Sequence, residues 1–530
     1  VLNDSNRPVR TRMPGGGGGG GQVTWPPLSR FGAARRHGLL PSPPMSLYQT
    51  LADDTARLIA EGVLRPGDRL PSVRQTCRIH GIAPVTVTQA YHLLESRGLI
   101  EARPKSGYFV RARLGQRLPE PEMSRPVGHS TALDVSDFIF EILDSVKDPA
   151  VVPLGSSFPS PRLFPLDKLG RFLAAAARHL DPMSTITDLP PGNDELRRQL
   201  SLRYLAQGAH VSPQEIVITS GAMEGLNLCL QAVTRPGDLI AIESPTFYAG
   251  LQASERLGLK VIEIPSHPRE GVNLAALEDA LRHHPVKVCL FMLNFANPTG
   301  SDVPDARRRA LIELLDRHDV PLIEDDVYAE LYFGADAPLC SKAVDPNGRV
   351  MHVSSFSKCL APGYRIGWVA AGRYAALIQR QKLSTSLATT VPVQIALADY
   401  LKQGGYENHL RHLRRTLAAH EAALVEAVEA HFPEGTRLAR PAGGYFLWIE
   451  LPRQVDALAL HRRALAQGIS LAPGPIFSAK REFGHCIRLN FGHPFDARAR
   501  DAVATLGRWV SEQARAPDCG SSVPIENNKG

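Results

Sequence analysis

Short β-rich runs alternate with helical patterns along the chain from about Val151 onward. The stretches between them, such as residues 307–317, show the apolar spacing of amphipathic helices. This alternation is typical of a mostly parallel sheet with helices on both faces, and such sheets bind ligands at the carboxyl ends of their strands. The β-rich runs are residues 216–219, 239–242, 288–292, 320–323 and 350–353.

Polar motifs follow several of these predicted strands. They are Ser220-Gly221-Ala222-Met223, Asn297-Pro298-Thr299-Gly300, Asp325-Asp326-Val327-Tyr328, Ser355-Phe356-Ser357-Lys358 and Pro362-Gly363-Tyr364-Arg365. A lysine forms an imine with an aldehyde, an aspartate pairs with a protonated ring nitrogen, and a serine with an arginine holds a phosphate. These groups can hold pyridoxal phosphate. In this order and spacing the motifs resemble the fold-type I aminotransferases, class I/II, over roughly residues 150–510.

The resemblance implies a role for each motif residue. Lys358 forms the internal aldimine, Asp325 pairs with the pyridine nitrogen, and Asn297 and Tyr328 bond the ring's phenolic oxygen. Arg365 binds the phosphate as a planar fork, and backbone amides at a helix start meet the same group. The full set of residues expected to bind the cofactor is Gly221, Ala222, Met223, Phe247, Asn297, Asp325, Tyr328, Ser355, Ser357, Lys358 and Arg365.

Some of these assignments have alternatives. Asp326 is the neighbour that competes with Asp325, and the family spacing of an aspartate three residues before a tyrosine favours Asp325. Tyr248 is the alternative to Phe247 as the residue that stacks on the cofactor ring. Arg488 matches the family arginine that holds an α-carboxylate, which implies an amino acid or similar ligand, and a structural salt bridge is its alternative role.

A second group of motifs lies near the amino end. Residues 67–74, 86–91 and 103–110 resemble a GntR-type winged helix-turn-helix, a DNA-binding domain. We predict helices near 47–59, 72–80 and 84–97, with Ser72 as a helix cap and Pro84 in a first turn. Two wing strands follow. The predicted DNA contacts are Arg74, Thr86, Thr88, Gln89, Lys105, Ser106 and Gly107.

The helix expected to enter the major groove departs from the family pattern. Ala83-Pro84 stands where the family usually has Ser-Arg, so the contacts of that arginine are missing, although the fold is not affected. A small winged domain that binds another protein is the alternative to DNA binding.

Charge is distributed unevenly along the 530 residues. The first 46 hold six Arg and one Asp, and residues 47–113 hold ten Lys or Arg against six Asp or Glu, so the remainder of this +7 chain carries −2. A basic amino-terminal module suits attraction to a phosphate backbone, or is simply a solvated basic face.

The seven cysteines are scattered along the chain, which favours neither a disulfide framework nor a metal site and indicates a reducing cytoplasm. No apolar run is long enough to indicate a membrane role.

The two halves together indicate a multidomain protein: a mainly α winged helix-turn-helix followed by an α/β fold-type I body with large and small subdomains. We predict a disordered extension over 1–44, the DNA-binding domain over 45–113, a linker over 114–134, the cofactor-binding body over 135–513 and a disordered tail over 514–530.

Met45 stands just before the first predicted helix. We therefore interpret the segment upstream of it as the product of a start codon assigned too early. A functional basic arm is the alternative.

This combination resembles the MocR subfamily of GntR-type transcriptional regulators. The resemblance implies a homodimer in which an amino acid or amine effector forms an external aldimine and alters binding to an operator. One alternative is an active aminotransferase with a DNA-binding appendage, because every residue needed for transamination is present. Another is a DNA-binding protein whose body has lost its cofactor.

Overall fold

A computed structural model describes residues 47–60, 63–64, 67–96, 99–103, 106–110, 118–126, 128–133, 135–136, 139–140, 148 and 150–515. The chain forms two compact units, residues 1–113 and residues 114–530. The extension predicted over 1–44, most of the tail predicted over 514–530, and Lys105 lie outside the described residues. The domain boundaries given above stay predictions.

The described residues of the first unit form three helices and a two-stranded antiparallel wing. Ser72 caps the second helix by accepting from the N–H of Gln75 at 3.3 Å, and Gly81 ends it in the left-handed conformation. Leu51, Val87 and other apolar side chains of the helices form the buried core. The elements are α1 (Leu47–Ala60), α2 (Val73–His80), α3 (Pro84–Ser96), β1 (Ile100–Arg103) and β2 (Gly107–Val110).

The inward face of α2 includes one residue beyond those expected. Val73 and Cys77, which the sequence predicts to point inward, are partly buried and pack against the core, and Thr76 is buried as well. The hydroxyl groups of Thr76 and Tyr91 lie 2.7 Å apart, and Tyr91 donates to the carbonyl of Pro71 at 2.8 Å. A hydrogen-bonded threonine therefore lies on the inward face of this short helix together with Val73 and Cys77.

A large mixed sheet forms the centre of the second unit. Its strands lie in the order β3, β6, β5, β8, β9, β10, β11, β4, and β7 pairs with β6. Neighbouring strands from β6 through β10 run parallel, while β3, β11 and β7 are antiparallel to their neighbours. The strands are β3 (Thr131–Ala132), β4 (Ile216–Thr219), β5 (Leu239–Ser244), β6 (Lys260–His267), β7 (Gly271–Val272), β8 (Val286–Phe291), β9 (Leu322–Asp325), β10 (Val350–Ser355) and β11 (Gly367–Ala370).

All five predicted strand segments lie within two residues of the positions where the sequence places them. The segment predicted over 320–323 is shifted by two residues at both ends, because β9 begins at Leu322 and ends at Asp325. Pro321 has no N–H for the strand ladder, and the N–H of Val320 bonds the carbonyl of Leu315 at the end of the preceding helix. The shift places Asp325 at the strand's carboxyl end.

Helices cover the large sheet, and a second sheet follows in the chain. This sheet has four antiparallel strands in the order β12, β13, β15, β14; with α14 and α15 we call it the small subdomain. Its strands are β12 (Arg437–Leu438), β13 (Phe446–Glu450), β14 (Ala472–Pro473) and β15 (Cys486–Asn490). The helices of the unit are α4 (Leu166–Arg178), α5 (Ser184–Thr187), α6 (Asp194–Ala206), α7 (Ala222–Val233), α8 (Tyr248–Arg256), α9 (Leu274–His283), α10 (Asp305–His318), α11 (Ala375–Thr385), α12 (Val391–Lys402), α13 (Gly405–His431), α14 (Ala457–Leu465) and α15 (Ala497–Arg515).

Residues 118–126, part of the predicted linker, are bonded to both sheets; we call them the strap. The N–H of Glu122 donates to Glu450 of β13 at 3.0 Å. The N–H of Ser124 donates to the carbonyl of Ser266 in β6 at 3.2 Å. The strap therefore connects the large sheet to the small subdomain, and this part of the predicted linker is not free chain.

The core of the large sheet encloses an ion pair. Arg308 of α10 and Glu324 of β9 are both fully buried and lie 2.6 Å apart. Arg308 also donates to the hydroxyl of Ser341 at 3.1 Å and to the carbonyl of Leu293 at 3.2 Å. These bonds fix α10 against the strand that ends in Asp325.

We predict that Arg308→Ala destabilises the second unit by about 3–5 kcal/mol, because Glu324 is left as an uncompensated buried charge. Arg198→Ala, which removes an exposed pair with Glu195 at 3.1 Å, is the matched control and should cost less than about 1 kcal/mol. Denaturant unfolding followed by tryptophan fluorescence measures both, since Trp368, Trp448 and Trp509 belong to this unit. Equal losses in the two variants would contradict the prediction.

Candidate functional site

Polar residues converge at one edge of the large sheet. Asp325 is the last residue of β9 and Ser355 the last of β10. Lys358 follows in the turn after β10, and Gly221 follows β4, which runs in the same direction as β10. The carboxyl ends of these strands therefore bring together residues that lie far apart in the sequence.

Lys358 lies where its amine loses part of its hydration. Its Nζ donates to the carbonyl of Ser157 at 2.8 Å and lies 4.2 Å from the centroid of the Phe158 ring. Burial lowers the pKa of Lys358 to about 7, although the charge of Asp325 acts in the opposite direction. A large fraction of the amine is therefore neutral, and nucleophilic, near neutral pH.

Asp325 and Asn297 both have a buried polar atom without a partner. Asp325 Oδ1 and Asn297 Nδ2 make no hydrogen bond within the described residues. Burial raises the pKa of Asp325 to about 7, and the neighbouring Asp326 adds to this rise while Lys358 opposes it. Unpaired buried polar atoms are rare in folded proteins. An unpaired acceptor and an unpaired donor beside Lys358 fit the ring nitrogen and phenolic oxygen of pyridoxal phosphate.

The predicted phosphate-binding residues form a connected group. Arg365 donates to Ser357 Oγ at 3.1 Å and to the carbonyl of Ser220 at 3.3 Å, and Ser355 Oγ accepts from the N–H of Ser357 at 3.3 Å. Gly221 has a φ of 87°, and a Cβ there would collide with the guanidinium of Arg365. Only glycine allows this close approach.

The remaining predicted cofactor residues lie around this group. Ala222 and Met223 form the first turn of α7, where free backbone N–H groups and the helix dipole favour an anion. Phe247 precedes α8 and is partly buried, with its ring centroid 4.7 Å from that of Tyr248. Tyr328 is buried, and burial raises its hydroxyl pKa, with Asp325 adding to the effect.

Arg488 of β15 is fully buried, and both terminal nitrogens of its guanidinium are hydrogen-bonded, whereas its Nε has no partner among the described residues. Its guanidinium donates to Asn297 Oδ1 at 2.9 Å, to the carbonyl of Gly155 at 2.6 Å and to that of Ser156 at 3.1 Å. Its partners within the described residues are neutral oxygens, so among these residues it does not form the structural salt bridge that the sequence left open. Burial lowers its pKa. A carboxylate that binds Arg488 must replace these neutral acceptors.

The sequence analysis did not identify the segment 155–158 or Tyr445 as part of the site. The carbonyl of Ser157 accepts from Lys358 and also from the hydroxyl of Tyr445 at 3.2 Å, and the hydroxyls of Ser157 and Tyr248 lie 2.6 Å apart. The sequence points only weakly to the segment 155–158, because serine residues and main-chain carbonyls are common in loops. The Gly443-Gly444 pair before Tyr445 was the available signal.

A second buried pair, also missed, lies behind Asp325. Asp326 and His352 are 2.8 Å apart, and Asn294 donates to the other oxygen of Asp326 at 2.8 Å. Burial alone would lower the pKa of His352, but the hydrogen bond and charge of Asp326 raise it. Asp326 is thus engaged away from the site, while Asp325 keeps a free oxygen.

In the first unit, α2 and α3 present the predicted DNA contacts. Arg74 and Gln89 are exposed, and Thr86 is partly exposed. Thr88 is partly exposed, and its hydroxyl donates to the carbonyl of Pro84 at 2.9 Å within the same helix. The hydroxyl oxygen can still accept a hydrogen bond, and the methyl group is available for contact.

The wing is only partly described. Ser106 is exposed in the turn, and Gly107 has a φ of 107°, which favours glycine. A Cβ on Gly107 would approach the guanidinium of Arg69 at 3.3 Å. Ser106 and Gly107 thus lie at the tip predicted from the sequence.

Neither a membrane span nor a metal centre is found in the described part of the chain. Each described helix is too short or too polar to span a bilayer. Histidine, cysteine and acidic side chains of the described residues form no group of three that could hold a metal ion.

Comparisons with known proteins agree with both units. Residues 166–505 match the family model for aminotransferase class I and II, and residues 47–110 match that for bacterial regulatory proteins, gntR family. The HTH-type transcriptional regulator YdcR of Escherichia coli (strain K12) is 47% identical over 469 residues, which cover 88% of this chain and 100% of YdcR.

Solved structures match the second unit. A Pyrococcus horikoshii kynurenine aminotransferase is 31% identical with a TM-score of 0.67, covering 72% of this chain and 96% of that one. LysN, an alpha-aminoadipate aminotransferase from Thermus thermophilus solved with N-(5'-phosphopyridoxyl)-L-leucine, is 27% identical with a TM-score of 0.64, covering 72% and 95%. The predicted fold class is confirmed. The chain belongs to the family that joins a gntR-type helix-turn-helix domain to an aminotransferase class I and II domain, the organisation of MocR-type regulators.

Proposed function

We propose that the chain is a DNA-binding transcriptional regulator that holds pyridoxal phosphate on Lys358 and responds to an amino acid or related amine. The observation that carries this proposal is the unpaired acceptor of Asp325 and the unpaired donor of Asn297 beside Lys358. They occur in a chain whose first unit is a helix-turn-helix. A body that had lost its cofactor would have no reason to keep such atoms buried, since each costs about 1–3 kcal/mol.

Each residue of the site contributes a distinct function. When bound, pyridoxal phosphate supplies an aldehyde that bonds an amine and a ring that accepts electrons. Lys358 would supply the neutral amine, and Asp325 would pair with the ring nitrogen. Asn297 would hold the phenolic oxygen. Arg365 and the first turn of α7 would hold the phosphate.

The effector competes with the protein for two groups. Its amine would compete with that of Lys358 for the aldehyde that bound cofactor supplies. A carboxylate on it would take the guanidinium of Arg488 from the carbonyls of Gly155 and Ser156. We infer that the loss of these bonds allows the segment 155–158 to shift, which would give the effector different affinities for two arrangements, as a switch requires. We also propose a homodimer, which would place two helix-turn-helix units on repeated half-sites.

A working aminotransferase is the second candidate function. The site keeps every group that transamination requires, and the similar Pyrococcus horikoshii protein is a kynurenine aminotransferase. The two functions differ in what happens after the amine binds. A regulator retains the ligand, whereas an aminotransferase releases a keto acid and passes the amino group to an acceptor.

We predict that Lys358 alone bonds the cofactor covalently. Purified full-length protein treated with pyridoxal phosphate and then borohydride should carry one phosphopyridoxyl group on the peptide containing Lys358. Lys358→Ala should remove this label and the visible absorbance band. Lys168→Ala on α4 is the control and should retain both.

The pH dependence tests the same bond independently. Because burial lowers the pKa of Lys358 to about 7, the rate of cofactor capture should rise as pH increases through about 7. An ordinary surface lysine would show this rise near 10.5 instead. A label on another lysine, or a capture rate that rises only above pH 9 or so, would contradict the proposed role of Lys358.

For the first unit, we predict that Arg74→Ala weakens DNA binding through the loss of a phosphate contact. The slope of log affinity against log salt should become smaller by about 1, with a similar loss on all sequences. Arg57→Ala on α1, which is paired with Asp54, should leave the slope unchanged. Fluorescence anisotropy on duplex DNA from upstream of the gene measures both. An unchanged slope for Arg74→Ala would remove this residue from the interface.

We predict that amino acids bind with a spectral change and alter DNA affinity in the same concentration range. Mixing with a ligand and a keto acid acceptor should yield at most one equivalent of product per site, since a regulator does not turn over. Absorbance, anisotropy and product analysis on one sample measure the three quantities. Multiple turnovers with constant DNA affinity would favour the aminotransferase instead.

A further inference from the structure

The exposed side of α3 contains an apolar residue at its amino end. Val85, Gln89 and His92 are all exposed and lie four and three positions apart, so they form one stripe along the helix. Val85 has 67% of its surface exposed. The opposite face packs into the core of the first unit through Val87, Ala90, Tyr91 and Leu94.

Val85 is not part of that core. It is absent from the apolar cluster that holds the three helices together, so its exposed methyl groups do not stabilise the unit by packing. A β-branched residue is also a weaker helix former than alanine. Neither packing nor helix propensity explains a valine at this position.

The position itself suggests what Val85 contacts. In helix-turn-helix proteins, residues at the amino end of the second helix meet base edges in the major groove. The 5-methyl group of thymine is the apolar group on those edges, and apolar side chains contact it. The nearby Thr88 has its hydroxyl bonded to Pro84, so it also offers a methyl group.

We infer that Val85 contacts the 5-methyl group of a thymine and so makes the protein selective for T at one position of each half-site. Gln89, one turn later on the same stripe, has the amide that pairs with adenine N6 and N7. The inference rests on the proposed DNA-binding function and gives it a sequence preference. It gives Val85, on the same exposed face as Thr86, Thr88 and Gln89, a specific partner on the base edge.

The test removes one methyl group at a time. Duplexes are first selected from a random-sequence pool with the full-length protein. Each thymine of the selected site is then replaced by deoxyuridine, which removes only the 5-methyl group. For the native protein, one replacement per half-site should weaken binding about fourfold, the effect expected for one buried methyl group. Val85→Ala should show no penalty at that position, because its contact is lost.

Two further variants serve as controls. Val85→Ile keeps the branched apolar side chain and should keep the penalty. Val63→Ala changes another exposed valine, outside the helices, and should behave like the native protein. Because Val85 is exposed, Val85→Ala should fold normally, which circular dichroism checks.

The possible outcomes separate this inference from the proposed function. Selection of a site with no deoxyuridine-sensitive thymine would overturn the contact while leaving DNA binding intact. So would a Val85→Ala variant that keeps the full penalty. Failure to select any duplex would overturn DNA binding itself, and the contact with it.

Discussion

Burial of opposite charges at the end of β9 and β10 is the constraint on which the site depends. Removing Asp325 and Lys358 from water raises the pKa of the acid to about 7 and lowers that of the amine to about 7. Each charge partly compensates the other, and neither shift would persist without the packed sheet around them. The same burial makes the amine nucleophilic and leaves the acid able to pair with a cationic ring nitrogen.

The burial of Asp325 explains why the acidic residues on either side of it are paired. Asp326 is held by His352 at 2.8 Å, and Glu324 by Arg308 at 2.6 Å. If these acids were unpaired, their repulsion would raise the pKa of Asp325 further and favour its neutral form. Three consecutive acids, Glu324 to Asp326, thus have different roles: two are bonded to the buried basic side chains of Arg308 and His352. The third, Asp325, keeps an unpaired oxygen.

The sequence predicted the parts of the site that depend on strand ends. Asp325, Ser355 and Lys358 follow apolar runs, and the alternation of strands and helices brings those ends to one edge. The sequence did not predict that the segment 155–158 belongs to the site. Ser157 lies 201 positions before Lys358 in the chain, and only its main-chain carbonyl bonds the lysine. Every residue has a main-chain carbonyl, so the identity of residue 157 does not indicate that it bonds Lys358. Thr76 in α2 was missed for a related reason, since a hydroxyl is suited to burial only when a partner such as Tyr91 is present.

The strap connects the elements that carry the site to the part of the chain that precedes them. Its Glu122 is bonded to β13 and its Ser124 to β6, so a movement of the small subdomain against the large sheet must strain or break one of these bonds. Arg488 is part of the small subdomain, and the neutral carbonyls that it bonds belong to the segment 155–158. A ligand that takes Arg488 from those carbonyls changes the forces on the small subdomain. The strap lies between the helix-turn-helix unit and the large sheet in the sequence. A displacement of the small subdomain by such a ligand would therefore act on the bonds of the strap, which a freely flexible linker would not allow.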